Sequence, residues 1–199
     1  MKVAALYVET GGCYFGLPDV DPWDKERDAR LYAGPWPVVA HPPCQLWVNM
    51  AGVNFRRYGK PKNRPGNDSG CFARALEAVR RWGGVLEHPA GSFAWSTFAL
   101  QRPSGVGNWI GGRENRSAYV AEVWQSAYGH RARKRTWLYC VPPGALPVLN
   151  GIQPSGAHQI GWFDRIKPTL SKKAANATPI PFRDLLLSIA RSARAEVAA

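Results

Sequence analysis

The sequence predicts an α/β domain with a largely parallel sheet, on two observations. Short apolar runs at 4–8, 37–40, 85–86 and 136–141 alternate with segments at 71–82 and 182–195 whose apolar residues recur at helical spacing, and such alternation builds helices over a mostly parallel sheet. The length, 199 residues, suits one full domain with a substantial core and is short for two.

Taken in order, 4–8 reads as a buried strand that ends in a tight turn at Gly11-Gly12. The stretch 17–37 is rich in Pro, Asp and Trp and predicts loop, with at most a short helix over 23–31. The β-formers at 37–40 end against Pro42-Pro43, so the strand stops at His41, because proline cannot continue a ladder. Cys44 then falls just past a strand end. Residues 56–69 have almost no apolar content and predict a mobile basic loop. From 71 to 82, Phe72, Ala75, Leu76, Val79 and Trp82 mark an amphipathic helix that Gly83-Gly84 terminates. Val85-Leu86 is a short buried strand cut off by Pro89. No clear period runs through 90–116; 117–128 reads as helix, 136–141 as strand and 182–195 as a terminal helix. The 17 prolines and 20 glycines predict long connections, which in a compact domain tend to be functional.

Composition narrows the function. With 45% hydrophobic residues and a mean hydropathy of -0.30, the chain reads as a soluble globular protein. It has no apolar run near the roughly 18 to 20 residues that cross a bilayer. The first residues lack the pattern of a signal peptide, so a cytoplasmic location is expected. Cys13, Cys44, Cys71 and Cys140 form no C-x-x-C pair and are expected as free thiols. Lys and Arg outnumber Asp and Glu by 26 to 14, giving +12 and a pI near 10.0. That balance favours a polyanionic partner, nucleic acid foremost.

The sharpest chemical signal is His41-Pro42-Pro43-Cys44-Gln45. A nucleophilic thiol must be held still, exposed to substrate and activated by a neighbour, and two prolines stiffen the loop that presents it. The segment resembles the catalytic G-P-P-C-Q loop of DNA cytosine-5 methyltransferases, with His41 in place of the glycine. Further segments follow in the family's order. Leu86-Glu87-His88-Pro89 resembles its E-N-V or E-N-P segment. In 129–139, Arg133 and Arg135 fall on the two arginines of a Q-x-R-x-R pattern and Arg131 on its glutamine. Residues 6–17 overlay the glycine-rich cofactor loop, with Ala5 in place of its acid and Glu9 in place of its first glycine. Residues 176–182 resemble the closing N-x-V-P-x-P segment.

The resemblance implies a Rossmann-like domain of the class I methyltransferase kind spanning 1–199. Gly12 and Cys44 are close in sequence, which implies that a helix and a strand of the cofactor half are missing, and 142–175 stands in place of a target-recognition domain. It implies that Cys44 adds to ring carbon 6 of a cytosine flipped out of DNA, that Glu87 is the carboxylic acid that donates at ring nitrogen 3 and neutralises the charge developing there, and that Arg135 or Arg133 clamps the base or phosphate. S-adenosylmethionine is the implied cofactor, held by Gly11, Gly12, Tyr14, Asp21, Pro42 and Asn176. Gln45, Trp47, Arg56, Arg57, Lys60, Lys62 and Arg131 are the expected DNA contacts. A small, basic enzyme of this kind would suit a bacteriophage.

Other classes compete. His41-x-x-Cys44 has zinc-ligand spacing, with His88 and His130 as completions, but Trp47 stands where a zinc deaminase has its second cysteine, and no metal is expected. A non-catalytic nucleic-acid binder could keep the scaffold alone. An enzyme acting on a free pyrimidine nucleotide, or using a folate carbon donor, would share the thiol chemistry.

Overall fold

The computed structural model describes residues 1–142, 144–161 and 166–192. Its strands are β1 (Val3–Leu6), β2 (Val20–Trp23), β3 (Val38–Ala40), β4 (Gly84–Pro89), β5 (Ile110–Gly111), β6 (Tyr119–Trp124) and β7 (Arg135–Val141). The helices are α1 (Asn49–Tyr58), α2 (Cys71–Trp82), α3 (Ala94–Thr97), α4 (Lys172–Asn176) and α5 (Ile180–Arg191). All seven strands share one sheet in the order β2-β1-β3-β4-β7-β6-β5. The half β2-β1-β3-β4 is parallel, as the alternation predicts. From β4 onward every pairing is antiparallel, so the sheet is mixed.

Side-chain alternation along the strands supplies two cores. Ala4, Leu6, Val38, Ala40, Leu86 and Tyr139 meet Phe72, Ala75 and Val79 of α2 on one face. Val3, Ala5, Val39, Val85 and Leu138 meet Phe182, Leu186 and Ile189 of α5 on the other. The end of α2 is fixed by Gly83, whose N–H closes on the Val79 carbonyl. Gly84 follows with φ +112°, and a Cβ there would collide with the Val38 carbonyl, so only glycine lets β4 lie against β3.

Three elements differ from expectation. Residues 117–128 are not helical: β6 fills 119–124 and a 3-10 turn follows at 125–128. Val120, Ala121 and Val123 are covered on both sheet faces, and a strand buried on both sides loses the alternation that would betray it. Over 23–31 the helix shrinks to a 3-10 turn at Ala29–Leu31, while β2 precedes it as an edge strand, the one place where a ladder tolerates Pro22. In chain order β2 is the one strand between β1 and β3, and the β1-to-β2 connection lacks a helix among its residues. The basic stretch 56–69 is not wholly loop, since Arg56 and Arg57 lie in the last turn of α1 and Lys62 in a 3-10 turn. The terminal helix runs over Ile180–Arg191, and the end of the expected 182–195 span lies outside the described residues.

From β1 the chain passes to β2 on one side and then returns to β3 on the other, so β1 and β3 flank a topological switch point. Loops leaving such strands diverge and open a crevice at their carboxyl ends, where open α/β sheets bind ligands.

Candidate active site

A cavity of about 760 Å³ opens at that crevice. The β1 loop contributes Glu9, Gly12 and Tyr14; the end of β3 contributes His41, Pro42, Cys44 and Gln45; and β4 contributes Glu87. Lys134 lines it from before β7, and Lys172, Lys173 and Asn176 from α4. Cys44 and Glu87, far apart in sequence, come together because β3 and β4 are adjacent parallel strands whose ends point the same way.

Tyr14, His41 and Glu87 form a hydrogen-bonded chain. His41 Nδ1 lies 2.9 Å from Glu87 Oε1, and the Tyr14 hydroxyl lies 2.8 Å from His41 Nε2. Burial alone would raise the Glu87 pKa, but the His41 hydrogen bond and charge, with Lys134 behind them, hold it at about 2. Glu87 is thus a carboxylate at neutral pH, and Nδ1 of His41 is the hydrogen donor to it. The second oxygen, Oε2, is buried and among the described residues has no hydrogen-bond partner, an arrangement that invites a donor from a ligand.

Cys44 is half-buried and its thiol is pushed up, first by burial and then by the negative charge of Glu87, with Lys134 opposing. In the free protein it rests as a thiol. His88, next along β4, turns into the core against Phe72 and Trp95, and burial lowers it to about 4. It is a neutral packing residue. All four cysteines are free.

Of the residues the sequence singles out, Cys44, Glu87, Gly12, Tyr14, Pro42, Gln45 and Asn176 line this cavity together. The arginines do not. Arg135 makes two hydrogen bonds to Glu122, at 2.7 and 2.9 Å, while Arg133 lies over Trp124 and Arg131 meets His158. Lys134, between the two arginines, takes the inward position, since neighbouring side chains of an extended segment point opposite ways. Trp47 is 4% exposed, packed on Phe72, Phe93 and Phe98 with its Nε1–H on Asp68, and is not free to stack on a base. Arg56, Arg57, Lys60 and Lys62 are exposed beyond the cavity, and Gly11 lies on the outer side of its turn with φ +67°. Sequence reasoning passed over His41 as the partner of Glu87 and over the lysines. Its signal for His41 was the departure from glycine in the Cys44 motif.

S-adenosylmethionine meets a poor fit here. Asp21 is engaged by Arg27 and the Trp23 indole outside the cavity. Asp24 is buried and accepts from Thr10 and two backbone amides, so neither acid near the end of β2 is open to a ribose. Lys134, Lys172 and Lys173 oppose a sulfonium cation. Among the described residues no group of three or more His, Cys, Asp or Glu could hold a metal ion, and no helix is long and apolar enough to cross a membrane. A comparison with known families, curated proteins and solved structures finds no match.

Proposed function

We propose that the chain modifies ring carbon 5 of a pyrimidine in nucleic acid, in the manner of DNA cytosine-5 methyltransferases, with Cys44 as covalent nucleophile. The observation that carries this reading is the meeting of Cys44 and Glu87 in one cavity at the switch point of the sheet. Ring carbon 6 and ring nitrogen 3 lie opposite each other in a pyrimidine, so a base between these side chains offers one position to each.

The thiol of Cys44 gives up its proton to solvent and its sulfur adds to carbon 6, and the displaced electron pair makes carbon 5 nucleophilic toward an electrophilic one-carbon donor, whose carrier leaves with the electron pair of its bond to that carbon. Loss of the carbon 5 proton and expulsion of the thiolate then restore the ring. Glu87 hydrogen-bonds the opposite edge and fixes the base. A duplex nucleotide reaches such a cavity by flipping, which costs a few kcal/mol. Cytosine in DNA is the substrate that the resemblance implies. The net charge of +12 favours DNA as partner, and Lys134, Lys172 and Lys173 favour a phosphate-bearing substrate, polymeric or free.

The test needs no donor. Reversible addition of Cys44 exchanges the carbon 5 hydrogen with solvent, so DNA oligonucleotides incubated with the protein in D₂O gain deuterium at that carbon. Mass spectrometry should find the gain with wild type and none with Cys44→Ala. Absence of exchange with wild type on every pyrimidine offered would refute the reading.

A further inference from the structure

We infer that the base held against Glu87 is one whose ring nitrogen 3 carries a hydrogen, a uracil-type pyrimidine, in preference to the cytosine that the resemblance implies. The inference rests on the proposed function and names its substrate class.

Its geometry starts from the buried carboxylate. His41 occupies Oε1 at 2.9 Å, and Tyr14 in turn holds His41 at 2.8 Å, so the pair is fixed from behind. Among the described residues Oε2 has no hydrogen-bond partner, and as a carboxylate oxygen it can only accept. With Cys44 addressing carbon 6, the atom across the ring is nitrogen 3. In uracil that atom is an N–H donor and satisfies Oε2 at once. In neutral cytosine it is an acceptor, and two acceptors face each other until a proton is found. The His41 bond and the nearby Lys134 both favour the ionised carboxylate and so withhold that proton. Glycine, which the resembling motif has at position 41, could not make this bond.

The chemistry balances without a further reagent. The Cys44 thiol gives its proton to solvent and its sulfur bonds to carbon 6, the carbon 5–carbon 6 π pair moves to carbon 5 as an enolate of the carbon 4 carbonyl, and carbon 5 takes a deuteron from D₂O, leaving deuteroxide to accept the original carbon 5 proton. Loss of the original carbon 5 proton reforms the double bond and releases the thiolate.

The experiment compares carbon 5 exchange, with wild-type protein in D₂O, on dUMP, dCMP and 3-methyl-dUMP, and on oligonucleotides carrying deoxyuridine or deoxycytidine. The 3-methyl compound keeps the uracil ring and replaces the N–H with a methyl group. We expect dUMP or its oligonucleotide to exchange at least about tenfold faster than both the cytosine counterpart and the 3-methyl compound, because a buried acceptor left unpaired costs that much or more. The polymer and free-nucleotide arms show which source of the base is used. Exchange on cytosine as fast as on uracil, or no loss on 3-methylation, overturns this inference and leaves the proposed function standing. No exchange on any substrate overturns both. Since only wild type is used, a misfolded variant cannot mimic either result.

Discussion

In the proposed reaction Cys44 and Glu87 carry the chemistry, and Glu87 helps to set the state of Cys44. The Glu87 carboxylate is one cause of the raised Cys44 thiol, and Lys134 pulls the thiol the other way. Glu87→Gln removes a negative charge without changing shape, so the Cys44 pKa should fall toward the ordinary thiol value. The thiolate fraction at pH 8 then rises, and alkylation of the Cys44 peptide by iodoacetamide, followed by mass spectrometry, should run several-fold faster than in wild type. An unchanged or slower rate would show that the two groups are not coupled. Cys44 and Glu87 were legible in the sequence because each sits in a short motif beside a strand end. Arg133, Arg135 and Lys134 were not, because a run of cations gives no sign of which member faces inward. Trp47 was misread for a related reason, since an aromatic beside a nucleophile looks like a stacking platform until the loop folds it back onto Phe72.

At the scale of elements, β6 and β7 make the antiparallel half of the sheet, and their polar contents explain why Arg135 is not a site residue. Glu122 is 7% exposed in the middle of β6, and Arg135 at the start of β7 gives it two charge-assisted hydrogen bonds, with the Trp137 indole adding a third at 2.9 Å. Arg135→Ala should leave that carboxylate with only the indole donors of Trp124 and Trp137 and no cation, and lower stability by about 1 to 3 kcal/mol, the cost of losing hydrogen bonds to a buried charge. Urea unfolding would measure it. A loss near zero would mean that the guanidinium is a surface ornament. The helix predicted over 117–128 failed because β6 is buried on both faces, and a strand covered on both sides carries no period of two. By contrast α2 was readable to the residue, with five apolar positions at helical spacing and two glycines behind them.

For the whole molecule, the alternation of apolar runs announced an α/β sheet, but the switch point that makes the cavity depends on strand order, which no local pattern records. Charge shows the same split. The excess of 26 basic over 14 acidic residues is plain in the composition, while its division between the cavity lysines and the exposed Arg56, Arg57, Lys60 and Lys62 is visible only once folded. Under the proposed function this division predicts two separable effects on DNA binding. Each phosphate contact contributes about 0.9 to the slope of log affinity against log salt. Replacing the four exposed residues with alanine should flatten that slope in proportion to the phosphate contacts they make, and weaken binding at low salt. Carbon 5 exchange on free dUMP, which touches only the cavity, should stay near the wild-type rate. Fluorescence anisotropy across a salt series, set beside the exchange assay, reads both. If the quadruple variant keeps the wild-type slope, DNA does not run over α1 and the turn behind it, and the cavity lysines must carry the polymer alone.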